Sequence, residues 1–439
     1  MTSALKYPLL VFLLSVVLFT GYANASDPFE KNYAPISNQN VPKGLTEAIN
    51  EVFKSNQANI STKYQKEFKT LQKINLEYLM SSIDSSDFYF DTIINPYFQN
   101  IFSSIIKSNP AIQSLGLRLF VSRSTIPNAY AMGNGILVFN IGMLRYMENE
   151  SQIAFVICHE IAHNTELHVF KRLESTLDKL YSKSTQEELK RLKRTEFNTF
   201  TQAEQLYKNL KFDIREHGRE HESEADSLGL ILLSKTDYSI EGSLRTFKIL
   251  DSTDYEKYRD SIELDQFFSF ESYPFKSRWI QENSFILMED KRSKESIDSM
   301  KTHPDCSIRY EKIKNIIERD KMAKGRLYVQ DSALFHQLVQ IADFEGISNE
   351  YKSKNLSRSL YFTLQLLKKY PENKFLQSYL IKNFELLVSG LENYKLSDYL
   401  YSPSPYHKGD YKKLNLFLNN IRFSEATKIL AELNNKYQL

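Results

Sequence analysis

The sequence predicts an α+β chain that is predominantly α. Three observations carry this. Residues 149–168 place apolar side chains on every side of a helix that also holds two histidines and a glutamate. Three short runs, Leu117 to Val121, Ile126 to Met132 and Ile136 to Asn140, read as strands. Gly133-Asn134-Gly135 between the last two is a hairpin signal. From about Asp331 onward the apolar spacing is helical with short breaks. The expected order is a domain with a small antiparallel sheet ahead of a buried helix, then a helical tail.

At the N-terminus, Lys6, the apolar run Pro8 to Phe19 and the Ala23-Asn24-Ala25 site read as a secretory signal peptide cleaved after Ala25. An uncleaved anchor is the alternative. The run is too short to span a bilayer comfortably, and no later stretch approaches the ~20 apolar residues a span needs. The expected place is outside the cytoplasm, a periplasm first, with secretion as the other route. Of 439 residues, 56 are basic and 54 acidic, a formal charge of +2 that argues against a dedicated nucleic-acid binder. The expected division is a signal peptide over 1–25, a domain over 26–325 and a helical region over 331–439.

Residues 26–41 read as a polar arm. Leu45 to about Ile83 is helical, with Ala48, Ile49, Val52 and Phe53 on one face. A second helix runs from about Thr92 to Ser108, interrupted at Asn95-Pro96. After the strands comes the central stretch, His159-Glu160-Ile161-Ala162-His163. Histidines four apart share a helix face, one turn above the other, close enough to bind one Zn²⁺. Glu160 is rotated about a quarter turn, near the metal but off it, where a carboxylate can take a proton from water. Asn149 and Gln152 suit a capping box. A core helix with satisfied polar residues is the bland alternative. Residues 169–215 read as charged, solvated helix.

A catalytic zinc keeps three protein ligands and an open position. A third histidine would stand at 169 with a glycine at 166, and the chain has Val169 and Glu166. His168 is one residue off and points away from the zinc face, so it reads as a supporting or structural group. Glu222 and Asp226 form E-x-x-x-D on one helical face. Glu222 would bind zinc, and Asp226 would accept from the far nitrogen of a zinc-bound histidine. A rival is the inverted motif from His217 to His221, in polar surroundings. Glu216, Glu220 and Glu224 read as solvated or paired charges. An exported protein permits a disulfide between Cys158 and Cys306, but Cys158 sits in the buried helix and reads as a small buried thiol.

Four segments together resemble the gluzincin peptidases, which include the CAAX prenyl protease and soluble periplasmic quality-control proteases. They are Asn128 to Leu144, Asn149 to His168, Glu222 to Leu230 and Thr302 to Tyr310. They stand in the family's order and cover about residues 90–320. The resemblance implies a zincin-like domain and one Zn²⁺ per chain, held by His159, His163 and Glu222 with Glu160 as base. It implies a metalloendopeptidase acting on unfolded or misassembled envelope polypeptides, with peripheral membrane association. It also places His303 and Arg309 near the metal. His303 would donate to an oxyanion or occupy the open zinc position as a regulator; the alternative is a helix cap, with Arg309 in a structural ion pair. A chaperone-like or autoinhibited binding protein is the other reading of the whole. Cys158 and Tyr310 depart from the family pattern without touching the ligand set.

Phe267, Phe268, Phe270, Tyr273, Phe275, Trp279 and Phe285 line a peptide cleft or pack an insertion. Tyr361 to Tyr370 and Phe375 to Val388 read as an antiparallel pair resembling one tetratricopeptide repeat. Ser402-Pro403-Ser404-Pro405 breaks the run before a last helix, about Ser424 to Lys436. Such a tail binds another protein or packs on the catalytic domain.

Overall fold

A computed structural model describes residues 27–38, 41–55, 62–194, 218–253, 261–282, 306–400 and 409–437. The signal-peptide stretch, residues 195–217, Phe285, His303 and the Ser402–Pro405 break lie outside the described residues. The chain forms two compact units. One comprises Ile36–Arg259 and Ser284–Ser353, the other Met1–Pro35, Asp260–Asn283 and Lys354–Leu439.

In the first unit the stretch after Leu45 forms two helices, α1 (Leu45–Ser55) and α2 (Gln65–Asp84). Ile49, Val52 and Phe53 are buried, as their spacing requires. Helix α3 (Ile94–Ser108) is not interrupted at Asn95-Pro96; it begins there. Proline in a first turn loses only an N–H that has no partner within the helix. Asp91 supplies the missing acceptor, taking the N–H of Ile94 at 2.6 Å and of Asn95 at 3.3 Å.

The sheet has strands β1 (Arg118–Ser122), β2 (Ala129–Ala131) and β3 (Ile136–Asn140) in the order β1-β3-β2. It is mixed rather than antiparallel throughout. β2 and β3 form the expected hairpin, Tyr130 opposite Val138, whereas β1 runs parallel to β3, Phe120 opposite Val138. The link over 123–128 is too long for a tight turn, so β2 lies one place away from β1 and β3 returns between them. Gly133 (φ 84) and Gly135 (φ 79) supply the left-handed turn that closes the hairpin. β3 is buried at every position, as a central strand covered on both faces should be.

A short helix α4 (Ile141–Leu144) leads into α5 (Glu150–Thr165), and α6 (His168–Leu180) and α7 (Lys183–Leu192) follow. Helix α8 is described over 218–234, followed by α9 (Glu241–Thr253). Helix α5 touches β2, β3, α3, α6 and α9, which is why its sequence is apolar all round. Its capping box is present: the Asn149 side chain accepts from the Gln152 N–H at 3.3 Å, and Gln152 Oε1 accepts from the Asn149 N–H at 3.1 Å.

In the second unit lies α10 (Leu264–Phe268). The first resumes with α11 (Cys306–Arg319) and α12 (Ser332–Lys352). The units therefore cut the chain elsewhere than the junction read near residues 325–331. α12 belongs with the sheet because Glu345, fully buried, accepts from Arg123 Nη1 at 2.7 Å, the Tyr89 hydroxyl at 2.9 Å and the Ile36 N–H at 2.8 Å.

The second unit is completed by α13 (Leu356–Lys369), α14 (Lys374–Glu392), α15 (Gly409–Asn420) and α16 (Phe423–Tyr437). α13 and α14 are the expected helix pair. Here the aromatic segment is packing. Phe268 stacks on Phe417 with centroids 5.0 Å apart, and fully buried Trp279 meets the same ring edge-on at 5.7 Å. Glu425 ties that segment to α16, accepting from Lys276 Nζ at 2.8 Å, Trp279 Nε1 at 3.1 Å and Arg278. Burial opposes its charge, but these donors win and hold its pKa at about 2. A depressed carboxylate stabilises the fold above its unfolded pKa and loses that contribution as pH falls through its folded value. On the order of 2 kcal/mol should therefore be lost between about pH 4.5 and 2. Glu425→Gln should remove this slope, read as the urea midpoint against pH.

Candidate metal centre

His159 and His163 stand one turn apart on α5 and aim their Nε2 atoms at one point. These nitrogens are 3.0 Å apart. Glu222 of α8 closes the set, with Oε2 3.5 Å from His159 Nε2 and Oε1 3.4 Å from His163 Nε2. A tetrahedral zinc with bonds of ~2.0–2.2 Å spaces its donors about 3.3 Å apart. These separations match that spacing, so the residues fit one ion. Among the described residues no other cluster of histidine, cysteine and carboxylate groups has such a spacing.

α8 reaches α5 because its contact residues are small. Ala225 is fully buried, and a Cβ on Gly229 would lie 3.1 Å from the His159 backbone. Behind Glu222, Asp226 Oδ1 lies 3.0 Å from His159 Nδ1, the outer contact expected of it. Arg309 of α11 grips Asp226 with two bonds of 2.7 Å and stands 3.2 Å from Glu222 Oε2 through Nη1. Arg309 is thus both beside the site and in a buried ion pair.

His168 is also here. α5 ends at Thr165, and Leu167 takes a left-handed conformation (φ 56) that turns the chain back. His168, which straight helical geometry directs elsewhere, lands with Nδ1 2.9 Å from His163 Nδ1. Its Nε2 is 3.0 Å from Glu224 Oε2. Glu224, exposed, is thus one of the paired charges the sequence allowed, and its partner belongs to the site; a histidine just past the motif was the available signal. His221 stacks on His168 at 4.4 Å and among the described residues joins no second donor set; His217 of the rival motif lies outside them. Cys158 and Cys306 are buried thiols not joined in a disulfide, and burial pushes Cys158 up.

Electrostatically the pocket calls for positive charge. Burial opposes a charged His159, but Asp226 and Glu222 outweigh burial and raise its pKa. Burial, then the charge on His159, lowers His163. Burial would raise Glu222, yet His159 and Arg309 hold it well below the usual range. Glu160 is different. Burial lifts it to about 7 against the pull of His159.

Ala131 belongs to the edge of β2 that has no strand beside it among the described residues. The N–H···O bonds from Asn140 to Asn128 and from Met132 to Ile136 put those pairs in the ladder. Alternation then turns the backbone groups of Ala129 and Ala131 outward. They line an open cleft with His159, Glu160, His163 and Glu222.

The model of peptidase family M48 matches residues 95–317. The chain belongs to peptidase family M48. M48 is a family of zinc metalloproteases. It is similar to the beta-barrel assembly-enhancing protease of Escherichia coli K12, 34% identical over 76 residues, 14% of this chain and 16% of the relative. It is also similar to the beta-barrel assembly-enhancing protease of Yersinia pestis, 27% identical over 90 residues, 20% of this chain and 18% of the relative. The match spans less than a fifth of either relative.

Removing Arg309 would leave Asp226 and Glu222 buried without their cation. Arg309→Leu should cost about 3–5 kcal/mol of unfolding free energy in urea. Arg309→Lys should recover only part, because an ammonium cannot make the two-pronged bond. Gly229→Val should drive α8 off α5 and cost about 1–3 kcal/mol, read the same way.

Proposed function

We propose that this chain is a zinc-dependent endopeptidase for exported polypeptides, with His159, His163 and Glu222 as ligands and Glu160 as general base. The convergence of three donors beside a buried carboxylate, all facing one cleft, carries this reading. Bound zinc supplies a Lewis acid for the scissile carbonyl and water of pKa near ~7. Glu160 is adjacent to His159 in the chain, so its carboxylate stands beside the donors and not among them. Its pKa of about 7 suits accepting a proton from the attacking water and returning it to the leaving nitrogen near neutral pH. Asp226 orients His159, and Arg309 orients Asp226.

The unpaired edge of β2 favours a substrate in extended form, added to the sheet as a further strand. That supports unfolded or misassembled polypeptides as the substrate class. Among the described residues no helix is long and apolar enough to cross a membrane. Together with the apolar N-terminal run and its Ala23-Asn24-Ala25 site, and with relatives named for beta-barrel assembly, this supports protein quality control in a cell envelope.

Glu160→Gln should keep one zinc per chain and lower cleavage of casein or an unfolded polypeptide by at least ~10²-fold. A chelator should abolish wild-type cleavage, and added zinc should restore it. Full activity in Glu160→Gln would remove Glu160 from the mechanism, and cleavage indifferent to chelation would remove the metal.

A further inference from the structure

We infer that Glu224, His168 and His163 form a hydrogen-bonded relay that fixes His163 in the one tautomer able to bind metal, with His168 as a positioning residue. This rests on the reading above that His163 holds the ion.

A carboxylate only accepts. The 3.0 Å contact of His168 Nε2 with Glu224 therefore makes Nε2 the protonated nitrogen of His168. In a neutral ring Nδ1 is then an acceptor. Its partner at 2.9 Å, His163 Nδ1, must donate to it. His163 consequently carries its free lone pair on Nε2, the atom facing His159 and Glu222. The opposite tautomer would put a hydrogen where the ion binds.

The surroundings hold this arrangement. His168 is 1% exposed, so water does not compete for its nitrogens. The His221 ring lies nearly parallel to it, 15° off, and fixes its plane. The left-handed Leu167 needed to bring it here costs about 1 kcal/mol. Packing of Leu167 against the cluster of Tyr64, Phe68, Phe170 and Leu177 offsets that. Both outer contacts come from one helix: α8 holds His159 through Asp226 directly, and His163 through Glu224 by way of His168. Glu222 and Glu224 lie about 200° apart around α8. One flank supplies the ligand and the other anchors the relay.

The test measures zinc affinity by chelator competition in full-length wild type, His163→Ala, His168→Ala, His168→Gln and Glu224→Ala. Imidazole ¹⁵N shifts of the metal-free protein report the His163 tautomer. His168→Ala should weaken zinc about 10–100-fold and lose the fixed Nδ1–H form of His163. Glutamine offers one acceptor and one donor in the same order as His168, so His168→Gln should recover most of that loss. Glu224 is exposed, and Glu224→Ala should fold and weaken zinc several-fold, which keeps the test intact if His168→Ala does not fold. Affinity within twofold of wild type in His168→Ala and Glu224→Ala, or an unchanged His163 tautomer in both, overturns the relay. Wild-type binding that His163→Ala leaves unaltered overturns the ligand assignment instead, and the relay with it.

Discussion

The pairing of Arg309 with Asp226 is the contact on which the rest of the site depends. It joins α11 to α8, and through His159 it joins both to α5. Four of the groups it links are ionisable, and two of them, Arg309 and Asp226, are buried. Neither is tolerable there alone, because an unpaired buried charge is far costlier than any single hydrogen bond is favourable. Each is stable only where the other is. Three helices distant in sequence are thereby held at one relative position. Stacking of the Arg309 guanidinium over Phe247, 5.1 Å from the ring centre, adds α9 to the same junction.

A second set of buried polar contacts fixes the ends of α5. Glu150, fully buried, accepts from the N–H groups of Val329 and Gln330 at 2.6 and 2.9 Å, anchoring the helix start to the segment before α12. Near the other end, Asn164 Oδ1 accepts from the Gly135 N–H at 2.7 Å, anchoring the helix to the hairpin turn. The strand edge is therefore positioned by the same helix that carries the donors. That common frame sets Glu160 and the β2 edge in one cleft.

Much of this was legible in the sequence. The spacing of His159 and His163, the capping pair Asn149 and Gln152, and the all-round apolar helix follow from local rules, and each stands where those rules put it. The hairpin at Gly133 to Gly135 was legible for the same reason: φ > 0 belongs to glycine. Sheet pairing was only half legible. An antiparallel neighbour follows from a two- or three-residue turn, but nothing local says that β3 returns between β1 and β2. His168 was legible as a supporting group off the zinc face, but its contact with His163 was not, because the left-handed Leu167 that brings it there is not announced by its residue type.

Taken alone, the sequence determined which residues can do the chemistry, since metal donors and a base are set by residue type and helical spacing. Only the tertiary structure decided who stands behind them. Glu224 reaches His163 through His168, Arg309 spans Asp226 and Glu222, and Phe268 and Trp279 fill a core in the helical unit. Those partners come from segments far apart in the chain. Their meeting is set by packing of whole helices, as at Ala225 and Gly229, and the spacing of residues along a single element does not specify it.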